Sequence, residues 1–292
     1  MNTRNRRQTC VMQSIAKNSR TRLHLGINVS SNRPGLTLVE LLIAVSIISL
    51  TAVALGTLAR ATQISAAYVE GHSNAAQHAR VTMERIQRAV RTGSANETFP
   101  GVVLFAETVS GDRFPDTIVV WKPAEGTTAA NPTALPKFNE LVVFCPNPAR
   151  PNELLEITSR NDLRTVPALS NISQWTTELN ALKSGETSKK VLLTDMLQTA
   201  RSNSGSTTRA CVRFEVSLRP TAAEITSFRN GTLAWDAIAW PQHWYGESTG
   251  MRQTWLRMEL QLLPSSRADG VATASLAIPF LGSAALYYDI YR

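Results

Sequence analysis

The chain is poor in several things, and each shortage narrows its reading. Three cysteines in 292 residues are too few for a disulfide framework. No Asp or Glu occurs before Glu40. None of the 14 prolines falls between Pro34 and Pro100, and Tyr68 is the only aromatic residue before Phe99. A proline-free, aromatic-poor stretch followed by a region rich in both predicts a long helix and then a folded domain. HExxH, Walker A and paired CxxC patterns are absent, which removes several common signatures of metal-dependent catalysis and nucleotide binding.

What is present is unevenly distributed. The net charge of +8 is carried almost wholly by residues 1–35, where Arg4, Arg6, Arg7, Lys17, Arg20, Arg22 and Arg33 meet no acid. The remainder is nearly neutral, so nucleic acid is not an expected partner. At 43% hydrophobic residues the composition is that of an ordinary globular protein, which excludes wholesale disorder and a polytopic membrane protein.

Four segments follow: a basic leader (1–35), an apolar span (36–59), a polar helix-compatible stretch (60–92) and a mainly β region (93–292). The span LTLVELLIAVSIISLTAVALGTLA holds one charge, Glu40. Its 24 residues would reach roughly 36 Å as a helix, enough to cross a hydrocarbon core of about 30 Å. The bland alternative is a buried core helix. The basic flank places the N-terminus in the cytoplasm and the C-terminal body across the membrane. Beyond Arg60, Ile64, Tyr68, Ala75, Ala79, Met83, Ile86 and Val90 form an apolar stripe at helical spacing. That stripe is expected to pack on the protein's own sheet, or else on a partner. Gly93 is a plausible helix stop.

The expected fold class is α+β: a long N-terminal helix, its first half transmembrane, packed on a C-terminal antiparallel sheet domain. VVLFA (102–106), TIVVW (117–121), ELVVFC (140–145) and ELLEIT (153–158) are short apolar runs between turn-forming residues. Val212, Phe214, Val216 and Leu218 alternate with polar residues, as do Leu256, Met258, Leu260 and Leu262; this period predicts antiparallel strands with one wet face. RSNSGSTTR (201–209) reads as a loop. Residues 160–200 are mixed, with a helix expected near VLLTDMLQTA.

The informative stretch is Arg33-Pro34-Gly35-Leu36-Thr37-Leu38-Val39-Glu40, running into the apolar span. An unpaired acid entering lipid costs roughly 2.5–3.5 kcal/mol at mid-span on insertion scales, so its default reading is functional. These residues resemble the class III signal of type IV pilins and type II secretion pseudopilins: a basic leader ending in Gly, an apolar residue, Thr, Leu, a further apolar residue and Glu. The resemblance implies cleavage after Gly35 by a membrane prepilin peptidase and N-methylation of Leu36. It also implies that Glu40 pairs with the N-terminus of a neighbouring subunit. The expected partners are other pilin or pseudopilin subunits, the peptidase/N-methyltransferase and an inner-membrane assembly platform. The expected location is the bacterial inner membrane, single pass, with a periplasmic body.

The resemblance is strongest over residues 33–59. Arg80–Arg91 looks like the post-span helix of J-type minor pseudopilins and related minor pilins, although Glu84-Arg85-Ile86 stands where an acidic-apolar-Arg order is usual. The body is larger than expected for a major pilin, and Glu40 argues against the K-type tip subunit. Gly56 falls where many members carry a helix-weakening residue, or is a tolerated glycine. The 35-residue leader is long for the family, Met12 offers a second start, and Leu36 replaces the commoner Phe.

Other candidates are weaker. His72 and His78 lie about 240° apart on a helix and cannot form a metal pair on one face. His243 sits in an aromatic stretch, Trp240–Tyr245, read as a loop or packed corner. Asp112 and Asp116 flank Phe114-Pro115 and read as turn caps, with calcium binding as the sharper alternative. No metal, cofactor or catalytic residue is expected, and the chain is read as non-enzymatic. Cys145 and Cys211 would both lie outside the cytoplasm, where a disulfide is permitted; two separate thiols are the alternative. The competing functional reading is a membrane-anchored extracytoplasmic or organellar binding protein or enzyme with a cleaved basic targeting segment.

Overall fold

A computed structural model describes residues 36–109, 111–124, 129, 132–185, 188–201, 207–238, 249–264 and 277–291. With no proline to interrupt it, helix α1 runs from Leu38 to Arg91, 54 residues. It stops where expected. The Gly93 N–H donates to the Val90 carbonyl at 3.1 Å, and the Ser94 N–H donates to the Trp121 carbonyl at 2.8 Å. A Cβ on Gly93 would stand 3.0 Å from both the Trp121 and the Val90 carbonyl oxygens, so glycine lets the chain turn tightly against the sheet.

The chain divides into two units between Leu58 and Ala59. In the first, every described residue is exposed. Its hydroxyl groups are satisfied within the helix: Ser46 donates to the Leu42 carbonyl at 2.8 Å, Ser49 to Val45 at 2.7 Å and Thr51 to Ile48 at 2.9 Å. That back-bonding leaves the span with few free polar atoms, as a lipid environment demands.

The second unit is built from two principal sheets. Strands β1 (Val102–Val109), β2 (Asp112–Trp121), β3 (Leu141–Pro146), β4 (Leu154–Thr158) and β5 (Lys189–Thr194) form an antiparallel meander in sequence order. Strands β6 (Thr199–Arg201) and β7 (Thr208–Ala210) form a small ribbon. Strands β8 (Val212–Arg219), β9 (Thr249–Leu262) and β10 (Ile278–Tyr291) form a three-stranded sheet in the order β10-β9-β8. Helices α2 (Ile172–Ser184) and α3 (Ala222–Arg229) complete the unit.

The two faces of the five-stranded sheet build different cores. One contributes Ile118, Val120, Val142, Phe144 and Leu154 to a core shared with α1 and with Leu256, Met258, Leu260 and Leu262 of β9. The opposite face places Val119, Trp121, Leu141, Val143, Cys145 and Ile157 beneath Phe99, Phe138 and the α2 residues Trp175 and Leu179. Coverage on both faces explains why the β2 and β3 runs are continuously apolar rather than alternating. The three-stranded sheet is covered on one face only. There Leu256 and Met258 are fully buried while Trp255 and Arg257 face outward, so the alternation read from β8 and β9 holds.

Three expectations need correction. The apolar stripe of α1 is buried only from Ala75 onward; Ile64 and Tyr68 are exposed. The segment VLLTDMLQTA is not helical: it forms most of β5 and enters β6, because Leu192 and Val191 pair with Leu155 and Glu156 of β4. The helix of this region is α2, earlier in the chain, capped by Asn171, whose side chain accepts from the Gln174 N–H at 3.3 Å. Within RSNSGSTTR, Arg201, Thr208 and Arg209 lie in the β6–β7 ribbon, and residues 202–206 lie outside the described residues.

Candidate functional site

The start of α1 is organised by two side chains. Thr37 is the residue before the helix, and its hydroxyl oxygen accepts from the Glu40 N–H at 3.3 Å. Glu40 reaches back, and its Oε2 accepts from both the Thr37 N–H and the Thr37 hydroxyl at 2.9 Å. This is a capping box, in which Thr and Glu three residues apart satisfy otherwise orphaned donors at the helix N-terminus. Glu40 is the only acid of the helix's first turn and is followed by an unbroken apolar surface. Leu36, Leu38, Leu41, Leu42 and Ile43 are each more than half exposed. Gly35 lies outside the described residues; Leu36 is the first described residue and is 72% exposed. The chemistry at this end is one carboxylate, held by its own helix cap, heading a helix long and apolar enough to cross a membrane.

The other sequence candidates do not converge on a second centre. Cys145 lies in β3 within the core beneath α2, where burial pushes its thiol up to about 12. Cys211 links β7 to β8; its N–H donates to the Gln198 carbonyl at 2.7 Å and its carbonyl accepts from the Gln261 N–H at 3.1 Å. Burial raises its thiol as well. Both are free thiols, so the permitted bridge is not formed: Cys145 points into the α2-side core, of which Cys211 is not a member.

Asp112 opens β2 opposite Val109, but Asp116 is not a turn cap. It sits inside β2, 4% exposed, accepting a hydrogen bond from the Thr117 hydroxyl at 3.0 Å; burial raises its pKa above the ordinary carboxylate value. His72 lies against the Tyr68 ring at 4.5 Å, and His78 Nδ1 is 3.3 Å from the Thr194 hydroxyl, so the two histidines serve separate contacts. His243 lies outside the described residues. Among the described residues, no group of three or more His, Cys, Asp or Glu side chains could hold a metal ion.

Sequence reasoning identified Glu40 but not the part Thr37 plays beside it. The signal was present in the Thr-x-x-Glu spacing immediately before an apolar run.

Residues 30–56 match the family model described as the prokaryotic N-terminal methylation motif. That motif is the type IV pilin and pseudopilin signal, and it supports a pilin- or pseudopilin-type precursor. It implies processing by a prepilin peptidase and assembly with other pilin subunits, and together with the apolar helix it is consistent with an inner-membrane protein. No curated protein and no solved structure matches the chain.

Proposed function

We propose that this chain is a minor pseudopilin or minor pilin, a structural subunit of a type II secretion pseudopilus or a type IV pilus-like filament. The observation that carries the reading is the placement of Glu40. It heads an exposed apolar helix inside the methylation-motif match, five residues after Gly35.

Cleavage after Gly35 would leave a positively charged, methylated amino group on Leu36. When spans pack side by side away from water, that ammonium meets the Glu40 carboxylate of a neighbouring subunit. Each charge offsets the desolvation of the other, and a subunit in the wrong axial register strands a buried charge. The β body faces the periplasm and makes the subunit-specific contacts. The action is mechanical: the chain is not an enzyme, and the energy comes from an ATPase elsewhere in the machine. An inner-membrane platform and the prepilin peptidase are its remaining partners.

Mass spectrometry of the protein from cells with an active prepilin peptidase tests the reading. The expected product begins at N-methylated Leu36 and co-purifies with other pilin-like subunits. Recovery of full-length polypeptide alone would overturn it.

A further inference from the structure

Beside α1, over β3, β4 and β5, the five-stranded sheet carries two connecting hollows of about 610 and 560 Å³. They share Arg85, Lys122, Val142 and Glu156, so they form one groove with α1 as one wall. Its far end reaches Lys189 and Val191 of β5, the edge strand of the sheet. The volume suits a short extended segment rather than a folded surface.

The charge of the groove is lopsided. Its two acids among the described residues are already engaged: Glu156 is bidentate with Arg85, and Glu84 accepts from Arg88 at 3.3 Å. Lys122, Arg160 and Lys189 line the same groove and form no ion pair with a carboxylate among the described residues. Three cations over an apolar strip, Val142 and Val191, match a strand that alternates acidic and apolar side chains.

We propose that this groove docks an acidic, extended peptide segment of a partner protein. Nucleic acid fits less well. Among the described residues no aromatic side chain lines the groove to stack a base, and Glu84 and Glu156 oppose a continuous phosphate backbone. The inference goes beyond the filament-subunit reading and does not depend on how the N-terminus is processed.

The test uses full-length protein, made without prepilin peptidase and held in a neutral detergent, with a fluorescein-labelled octapeptide of alternating Glu and Val. Fluorescence anisotropy should show saturable binding. The double reversal Lys122→Glu/Lys189→Glu should weaken binding at least about tenfold, and should bind the alternating Lys and Val octapeptide instead. The milder Lys122→Gln/Lys189→Gln should weaken it in the same direction. Arg213→Glu/Arg257→Glu, on the open face of the other sheet, should leave it unchanged. Thermal melts establish that each variant is folded. Absence of saturable binding by the unmodified protein, indifference to both groove variants, or equally tight binding of oligothymidine would overturn the proposal.

Discussion

The Glu40 carboxylate holds the N–H and the hydroxyl of Thr37 through the same oxygen, each at 2.9 Å. The acid that would pair with a neighbour's amino terminus is therefore also the cap of its own helix. The two roles make different demands: capping needs an acceptor oxygen at this reach, whereas pairing needs a negative charge.

Glutamine separates them. Glu40→Gln keeps an acceptor for Thr37 and removes the charge, while Glu40→Ala removes both. Both variants should be cleaved after Gly35 and both should be depleted from co-purified assemblies, as read by immunoblotting of processed and assembled fractions. If Gln assembles like the unmodified protein while Ala does not, capping is the whole role of this side chain and the intersubunit pair is wrong.

Close packing sets a second prediction. A Cβ on Gly71 would collide with the Pro264 carbonyl oxygen where α1 passes the end of β9, whereas one on Gly56 would meet nothing within 4 Å. Gly71→Ala should destabilise the body by about 1–3 kcal/mol, less whatever alanine returns in helix propensity, up to about 1 kcal/mol. For a domain of this size each kcal/mol moves Tm by roughly 2–4 °C. Gly56→Ala should leave the melting of the body unchanged. An unaltered Tm for Gly71→Ala would show that α1 is not seated against Pro264.

Asp116 makes its own contribution to the pH dependence of stability. Burial raises its pKa in the folded protein, so folding disfavours its charged form. Its contribution to stability is full below the unfolded value and is lost as pH rises through the folded one. Asp116→Asn should therefore raise Tm at pH 7, and the gain should shrink to nothing as the pH falls below the ordinary carboxylate range. Melting curves of the two proteins from pH 3 to pH 8 measure the difference; a gain that does not vary with pH would refute the assignment.

Thiol chemistry offers a direct check on the cysteines. Cys145 is fully buried with its thiol pushed up to about 12, and Cys211 is half-buried with its thiol also raised. In native protein without reductant, a maleimide should label Cys211 slowly and Cys145 not at all. After denaturation, both should react without prior reduction. A requirement for reductant would establish a bridge that the fold does not form.

Much of this was legible in the sequence, and the reason differs from element to element. The α1 span needed only an uninterrupted run of helix-compatible residues, since backbone hydrogen bonds within a helix are local. The strands β8 and β9 declared themselves because one face meets water and the other the core, which writes a period of two into the chain. Helix α3 carries a Thr221-x-x-Glu224 capping box with the same pattern of hydrogen bonds as that at Thr37 and Glu40, but no long apolar run follows it to single it out in the sequence. Helix α2 carried Trp175 and Leu179 at helical spacing after an Asn171 cap. Strand β5 was the hard case: its composition suits a helix, and only pairing to β4 decides the matter.

The sequence by itself determined the chain's N-terminal character: a basic, acid-free first 35 residues, the methylation motif, the single acid at Glu40 and the apolar run behind it. These are properties of adjacent residues, and local chemistry is enough to read them. Only the tertiary structure decided that Cys145 and Cys211 stay apart, that Ile64 and Tyr68 remain exposed while Ala75 is buried, and that Lys122, Arg160 and Lys189 line one groove. Each of these depends on where residues distant in sequence are brought by sheet pairing and helix packing, and no spacing along the chain encodes it.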